Sequence, residues 1–284
     1  MFQLRLLMLL LTPFNATNVN AFQPYNIINS STIPVVVLHG VASSAGKMNM
    51  FSSWISDTFN RTVFNIEIGD GESTSLYTSL PEQLIMLCST LYSMKELESG
   101  FDFIGMSQGG LLARGYVEQC NKFPVHNLIT LVSPHGGVKN GLTLNMYSKF
   151  FQEHFSIAGY WRDPTQLAIY LEKCNYLPLL NNERITADSE TQKNNMVTLD
   201  NFVLVWSSQD TTVTPPESAK FSFYDEDYNI ISIRDTELYK EDLLGLRYLD
   251  ENNRFNEYET NCSHVEHRDP VCYEQMYDIL KNYL

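Results

Sequence analysis

Apolar positions in this chain recur in two periods. Short, largely apolar runs rich in β-branched residues occupy 33–38, 62–68, 101–104, 125–132 and 202–206, the signature of strands buried on both faces. Between them the spacing changes to that of helices. In 81–94, Leu84, Leu87, Cys88 and Leu91 share a face, and in 110–120, Leu112, Tyr116, Val117 and Cys120 do. Strand alternating with helix predicts an α/β fold, a mostly parallel sheet with helices on both sides. From about 140 to 193 the alternation gives way to aromatic residues, Met and polar residues with no strand signal. That stretch reads as a helical cap inserted between two sheet strands, over the carboxyl edge where open α/β sheets bind ligands. One domain over 22–284, carrying the cap, is the expectation.

The first 21 residues follow a different pattern. Arg5 precedes an apolar run at 6–11 that is far short of the roughly 20 residues a membrane-spanning helix needs. Val19 and Ala21 are small residues two apart, so 1–21 reads as a secretory signal peptide cleaved after Ala21. No later run suggests a transmembrane segment or lipid anchor. Sequons at Asn29, Asn60 and Asn261 agree with glycosylation along a secretory route. Composition narrows the partners: 19 Lys and Arg against 33 Asp and Glu leave a net charge of −14, which repels a nucleic-acid backbone and offers an anionic membrane no basic face. Such acidity suits an acidic vesicle, although charge alone does not choose that destination over release from the cell. Five cysteines allow two internal bridges at most, and none of their spacings is C-x-x-C.

The chemistry concentrates in Gly105-Met106-Ser107-Gln108-Gly109-Gly110, which follows one predicted strand and opens one predicted helix. G-x-S-x-G in that setting lifts a serine hydroxyl on a tight turn, and the helix N-terminus aims free N–H groups at developing negative charge. A serine needs a base, and the base a carboxylate to orient it. On this kind of fold the order along the chain is Ser, Asp or Glu, then His. His39, His126, His135 and His154 come too early, which leaves His264 and His267. Asp210 lies just past the strand at 202–206, whereas Asp200 precedes it at the wrong edge. His264 follows an extended stretch at 258–260 and precedes a helix beginning near Pro270, the loop position the base requires; His267 is the alternative. Reading His264-Val265-Glu266-His267 as a metal site lacks a third ligand at fixed spacing, and no metal or cofactor is expected. The backbone N–H groups of Val41, after His39-Gly40, and of Gln108 are candidates for an oxyanion hole. His135, in Ser133-Pro134-His135-Gly136-Gly137, reads as shaping a loop beside the pocket.

These motifs, with Tyr160-Trp161-Arg162-Asp163-Pro164 and residues 239–246 (Tyr-Lys-Glu-Asp-Leu-Leu-Gly-Leu), resemble the palmitoyl-protein thioesterases over nearly the whole chain from Pro34 onward. The resemblance implies a lysosomal α/β-hydrolase that releases long acyl groups from cysteine thioesters through Ser107, Asp210 and His264. It also implies bridges Cys88–Cys120 and Cys262–Cys272, with Cys174 unassigned. S-acylated proteins or peptides would be the substrates, with acyl-CoA left open as a second. Leu142, Leu144, Met146, Phe150, Phe151, Phe155, Ile157 and Leu167 of the cap could line an acyl groove or simply hold the cap in place. An oxyester lipase or carboxylesterase with the same triad is the rival reading, and a lipid-binding protein with a degenerate site is the reading from another class.

Overall fold

The computed structural model describes residues 33–141 and 144–284; the expected leader at 1–21, the sequon at Asn29 and Leu142 lie outside them. Along the chain run β1 (Val35–Leu38), α1 (Ala45–Phe59), β2 (Val63–Ile66), α2 (Glu72–Tyr77), α3 (Leu80–Ser93), β3 (Phe101–Met106), α4 (Gln108–Gly115) and β4 (Val125–Leu131). Four short helices follow, α5 (Lys149–His154), α6 (Leu167–Lys173), α7 (Leu177–Leu180) and α8 (Ser189–Met196), and then β5 (Asn201–Trp206). A two-residue hairpin, β6 (Phe223–Tyr224) with β7 (Ile230–Ile231), precedes α9 (Glu237–Lys240), α10 (Leu246–Glu251), β8 (Phe255–Glu259) and α11 (Tyr273–Leu280).

One sheet takes six of these strands in the order β2-β1-β3-β4-β5-β8, every neighbouring pair parallel. Parallel pairing forces a crossover after each strand, so all six carboxyl ends reach the same edge. Side chains alternate between two cores. Val36, Leu38, Phe103 and Leu204 meet α3, α4 and α10, while Val35, Val37, Ile104 and Val205 meet α1 and α11. Burial on both faces is why β1, β3 and β5 carry mostly apolar runs rather than an alternating pattern.

Two local differences from the sequence reading have physical causes. The helix expected at 110–120 begins at Gln108 and stays α-helical only to Gly115; Tyr116–Cys120 widens into a π turn, closed by the Asn121 N–H donating to the Tyr116 carbonyl at 2.8 Å. Asn121 has φ 36°, the left-handed conformation that ends helices. The last helix starts at Tyr273 rather than near Pro270, because Pro270–Cys272 forms a 3-10 turn first.

Disulfides join Cys88 to Cys120 and Cys262 to Cys272. Cys174 is free and fully buried, and burial pushes its thiol up to about 12. The insertion between β4 and β5 is docked by polar contacts as well as apolar ones. Arg114 of α4 pairs with Glu118 at 2.9 Å and donates to the Leu180 carbonyl and to Asn181 Oδ1. The Tyr176 hydroxyl donates to the Leu111 carbonyl at 3.2 Å. Among the described residues, no helix is long and apolar enough to cross a membrane.

Candidate active site

The carboxyl edge of the sheet brings together loops from four strands. Ser107 sits between β3 and α4 at φ 55°, ψ −127°, a conformation that L-residues rarely adopt. Its own N–H, donating to the Leu131 carbonyl at 2.7 Å, helps hold it there. The turn is possible only because a side chain is missing at Gly105, where a Cβ would lie 2.6 Å from the Gly109 carbonyl. Gly40 allows the loop after β1 to close on the serine, since a Cβ there would meet Ser107 Cβ at 2.9 Å.

Ser107 Oγ lies 3.0 Å from His264 Nε2, and His264 Nδ1 lies 2.7 Å from Asp210 Oδ2. All three are buried, at 8%, 8% and 4% exposure. A carboxylate can only accept, so Nδ1 carries the hydrogen and Nε2 is free to take the serine proton. The other carboxylate oxygen of Asp210 accepts from the backbone N–H groups of Thr212 (2.8 Å) and Val213 (3.0 Å). Those bonds fix the carboxylate plane. Asp210-Thr211-Thr212 carries the signal of such a turn, an Asp side chain bonding the backbone two residues on.

His267 is placed elsewhere. Its Nδ1–H donates to the Ser263 carbonyl at 2.9 Å and its Nε2 accepts from the Thr260 hydroxyl at 2.8 Å. Burial lowers its pKa. Neither histidine therefore has a nitrogen to share with a metal, and no group of three His, Cys, Asp or Glu among the described residues could hold one. His135 is buried, bonded to the Thr130 hydroxyl at 3.0 Å and stacked on Phe221 at 4.7 Å between ring centroids. Desolvation depresses it far below the usual imidazole range. Asp200 pairs with His126 at 3.0 Å before β5, away from Ser107. His39 contacts the Gly40 carbonyl at 2.9 Å and Glu67 at 2.8 Å, a bracing role for the loop that carries Val41.

Gln108 opens α4, and its side chain is held in the core by the Ser75 carbonyl at 2.8 Å, leaving its backbone at the helix N-terminus beside Ser107. A cavity of about 190 Å³ opens on Ser107 and His264, with Val41, Ser43, Lys47, Thr212, Val265 and Arg268 in its wall. Sequence reasoning did not single out Lys47 or Arg268, and no motif marks them.

The expected acyl-lining residues are not in that wall. Met146 and Leu144 line a separate cavity of about 530 Å³ with Lys139 and Asp163. Phe150 and Leu167 are exposed, at 60% and 40%. Phe151 and Phe155 pack on each other and on Phe150, and Phe155 meets Tyr77 of α2 at 5.5 Å. Their aromatic contacts are with one another and α2, so the alternative reading, that such residues hold the cap, describes Phe151 and Phe155 better. Asn60 and Asn261 are both exposed.

A parallel sheet that delivers a strained serine, a histidine and an aspartate to one edge is the α/β-hydrolase arrangement. Solved structures agree on the fold: Aspergillus fumigatus lipase B superposes with a TM-score of 0.53 at 13% identity, covering 92% of this chain and 55% of that one. Paleococcus ferrophilus monoacylglycerol lipase gives 0.51 at 14% identity, over 88% and 95%. Within that class, the palmitoyl protein thioesterase family model matches residues 34–264, and the chain belongs to that family. It is 36% identical over 252 residues to palmitoyl-protein thioesterase 3 of Dictyostelium discoideum, covering 84% of this chain and 87% of that one. Lysosomal thioesterase PPT2-B of Xenopus laevis is 31% identical over 242 residues, covering 76% and 81%. The protein is thus a serine hydrolase of acyl thioesters.

Proposed function

We propose that this hydrolase removes long-chain fatty acyl groups, palmitoyl foremost, from the cysteines of S-acylated proteins or peptides. Ser107 Oγ attacks the thioester carbonyl as His264 Nε2 takes its proton, and Asp210 stabilises the imidazolium. The N–H groups of Val41 and Gln108 receive the oxyanion. Collapse breaks the C–S bond, with His264 returning the proton to the departing thiolate; water then attacks the acyl-serine with His264 again as base, releasing the fatty acid. The observation that carries this reading is the continuous hydrogen-bonded line from Ser107 through His264 to Asp210, at 3.0 and 2.7 Å.

A leader over 1–21 directs the chain into the secretory pathway, with an acidic lysosome-like vesicle as its destination and glycans on Asn29, Asn60 and Asn261. The segment at about 140–193 serves as the cap, and acyl-CoA is a second substrate. A thiol leaves with a pKa near 8.5, far below that of an alcohol, so a thioester depends less on proton donation by His264 than an oxyester at the same oxyanion hole. Matched palmitoyl thioester and oxyester substrates, assayed from about pH 5 to 7, test this. A higher kcat/KM for the thioester at every pH is expected; faster oxyester cleavage throughout would make the protein a carboxylesterase. Covalent labelling of Ser107 by a fluorophosphonate separates an enzyme from a binding protein with an inert site.

A further inference from the structure

The wall of the cavity at Ser107 is cationic in a chain whose net charge is −14. Its basic side chains besides the imidazole of His264 are Lys47 and Arg268, and no carboxylate lines it. Arg268 Nη1 donates to Ser43 Oγ at 3.2 Å and Lys47 Nζ to the Ala42 carbonyl at 3.4 Å, and Ser43 and Ala42 themselves line the cavity. Lys47 is partly neutralised by Glu72 at 2.5 Å, on the exposed side. Arg268 forms no ion pair with a carboxylate among the described residues, unlike Arg61, Arg114, Arg162, Arg234 and Arg247. A guanidinium has five donors, and Ser43 occupies one.

Position says which part of the substrate these cations face. Arg268 closes the same short turn that starts beside His264 (Val265–Arg268), and the group that must lie next to His264 Nε2 late in the reaction is the departing sulfur. The cavity that these two cations line is the one that opens on Ser107 and His264, so an anion seated there lies only a few bonds from that sulfur. The diphosphate of a coenzyme A thiol, at the end of its long pantetheine arm, is too remote to be that anion.

Resting on the thioesterase reading above, we infer that Arg268, assisted by Lys47, forms an anion subsite for the leaving thiol, selecting thioesters of cysteine that carry a carboxylate close to sulfur. A C-terminal S-acyl-cysteine supplies one as its own α-carboxylate; an acidic residue next to an internal S-acyl-cysteine supplies the same chemistry. An α-carboxyl with a pKa near 3.5 stays ionised at about pH 5, so the subsite works in an acidic compartment. Proteolysis that trims a protein back to its acylated cysteine is the class of reaction that produces the first kind of substrate.

The experiment compares N-acetyl-S-palmitoyl-cysteine with its uncharged amide, and with an N-acetyl-S-palmitoyl-cysteinyl-aspartate dipeptide amide as a third arm. The full-length wild-type enzyme should prefer the free carboxylate over the amide by about tenfold in kcat/KM, in line with a charge-assisted hydrogen bond. The preference should shrink as salt rises. Arg268→Gln should bring the ratio close to one and Lys47→Met should reduce it less. Because the ratio is read within each protein, any general loss of activity divides out. Equal rates on all three substrates by the wild type overturn the subsite whatever the variants do. A preference that survives Arg268→Gln overturns the assignment to Arg268. Preference for the dipeptide over both others keeps the subsite and assigns it to a neighbouring acidic residue. Failure to cleave any of the three would instead count against the thioesterase reading.

Discussion

The two edges of the sheet hold buried charged networks of similar size and opposite purpose. At the carboxyl edge Ser107, His264 and Asp210 are joined by two hydrogen bonds, and the cavity beside them is open to substrate. At the amino edge Arg61 pairs with Asp102 at 2.5 Å and donates to the Ile33 and Leu284 carbonyls. Asn127 donates to Asp102 at 2.8 Å and to the Tyr283 carbonyl at 3.0 Å, and Asn201 donates to Asn127. This second network ties the starts of β1, β3, β4 and β5 to the end of the chain. No buried polar side-chain atom of Arg61, Asp102 or Asn127 is left without a partner, which is what a network for holding needs. A network for chemistry must instead keep one atom, Ser107 Oγ, available to a ligand.

The widest separation between the edges comes from Ser107→Ala. Loss of the only attacking group should lower kcat by about 10⁶-fold, leaving the catalysis that binding and the oxyanion hole supply. Folding free energy should move by about 1 kcal/mol or less. Steady-state turnover together with urea unfolding reads both, and a large change in stability would mean that the carboxyl edge also holds the fold together. His264→Ala should behave nearly the same way. His267→Ala should not: it strips partners from the buried Thr260 and Ser263 groups, costing about 2–3 kcal/mol of stability while the folded fraction keeps its turnover.

At the other edge the expected effects exchange places. Arg61→Met leaves Asp102 buried without its counter-ion and should destabilise by about 3–5 kcal/mol, with kcat of the folded protein unchanged. Burial already raises the Asp102 pKa despite the adjacent guanidinium, which says that desolvation outweighs the attraction at this pair. Replacing both partners with apolar residues of similar volume should therefore recover most of the loss. Chemical denaturation of the two single variants and the double variant measures this directly. A double variant no more stable than Arg61→Met would show that the carbonyls of Ile33 and Leu284 depend on the guanidinium as heavily as Asp102 does.

The contrast extends to what could be read from the chain. The carboxyl edge is legible because its chemistry constrains local sequence: G-x-S-x-G has a fixed form, and the order Ser, Asp, His leaves few candidates. Four sheet strands, β1, β3, β4 and β5, are visible as mostly apolar runs because burial on both faces leaves little choice of residue, and β2, half-buried at one rim, shows as a shorter run. The sixth, β8, reads Phe-Asn-Glu-Tyr-Glu and sits at the sheet's rim, so its polar residues hid most of its length. The amino edge gave no signal. Arg61 carries no signal beyond its place in the middle of a sequon, and its partners stand 28, 41 and 223 residues away. Cap residues failed for a related reason. Phe150 and Trp161 belong to the same aromatic-rich stretch, yet one is 60% exposed and the other 2%. Which aromatic residue turns inward is decided by distant partners, such as Tyr77 for Phe155 and Lys139 for Trp161, and short 3-10 turns there have no period to betray the face.

The smallest expected effect concerns His264 and His267, three residues apart at the carboxyl edge and both hydrogen-bonded as the Nδ1–H tautomer. In the proposed mechanism only His264 gains a proton. His267 accepts from the Thr260 hydroxyl through Nε2, so protonation would replace that bond with two opposed donors in a buried site, and desolvation holds its pKa below the usual 6.5. The sign follows from linkage. Above about pH 6.5 both folded and unfolded chains carry a neutral imidazole and its contribution to stability is complete. As pH falls from there toward the depressed folded value, the unfolded chain takes up a proton that the folded chain refuses, and up to about 1.4 kcal/mol is lost per pH unit. His135 acts in the same direction. Glu118, pushed up to about 8 by burial, acts in the opposite one, its contribution present below about 4.5 and lost as pH rises through 8. Comparing wild type with His267→Gln at pH 7.5 and pH 5 removes those shared terms. The stability difference between the two proteins should shrink at pH 5, because glutamine has no proton to refuse. A difference that grew on acidification would mean that His267 is charged in the folded protein, and the division of labour between the two histidines would fall with it.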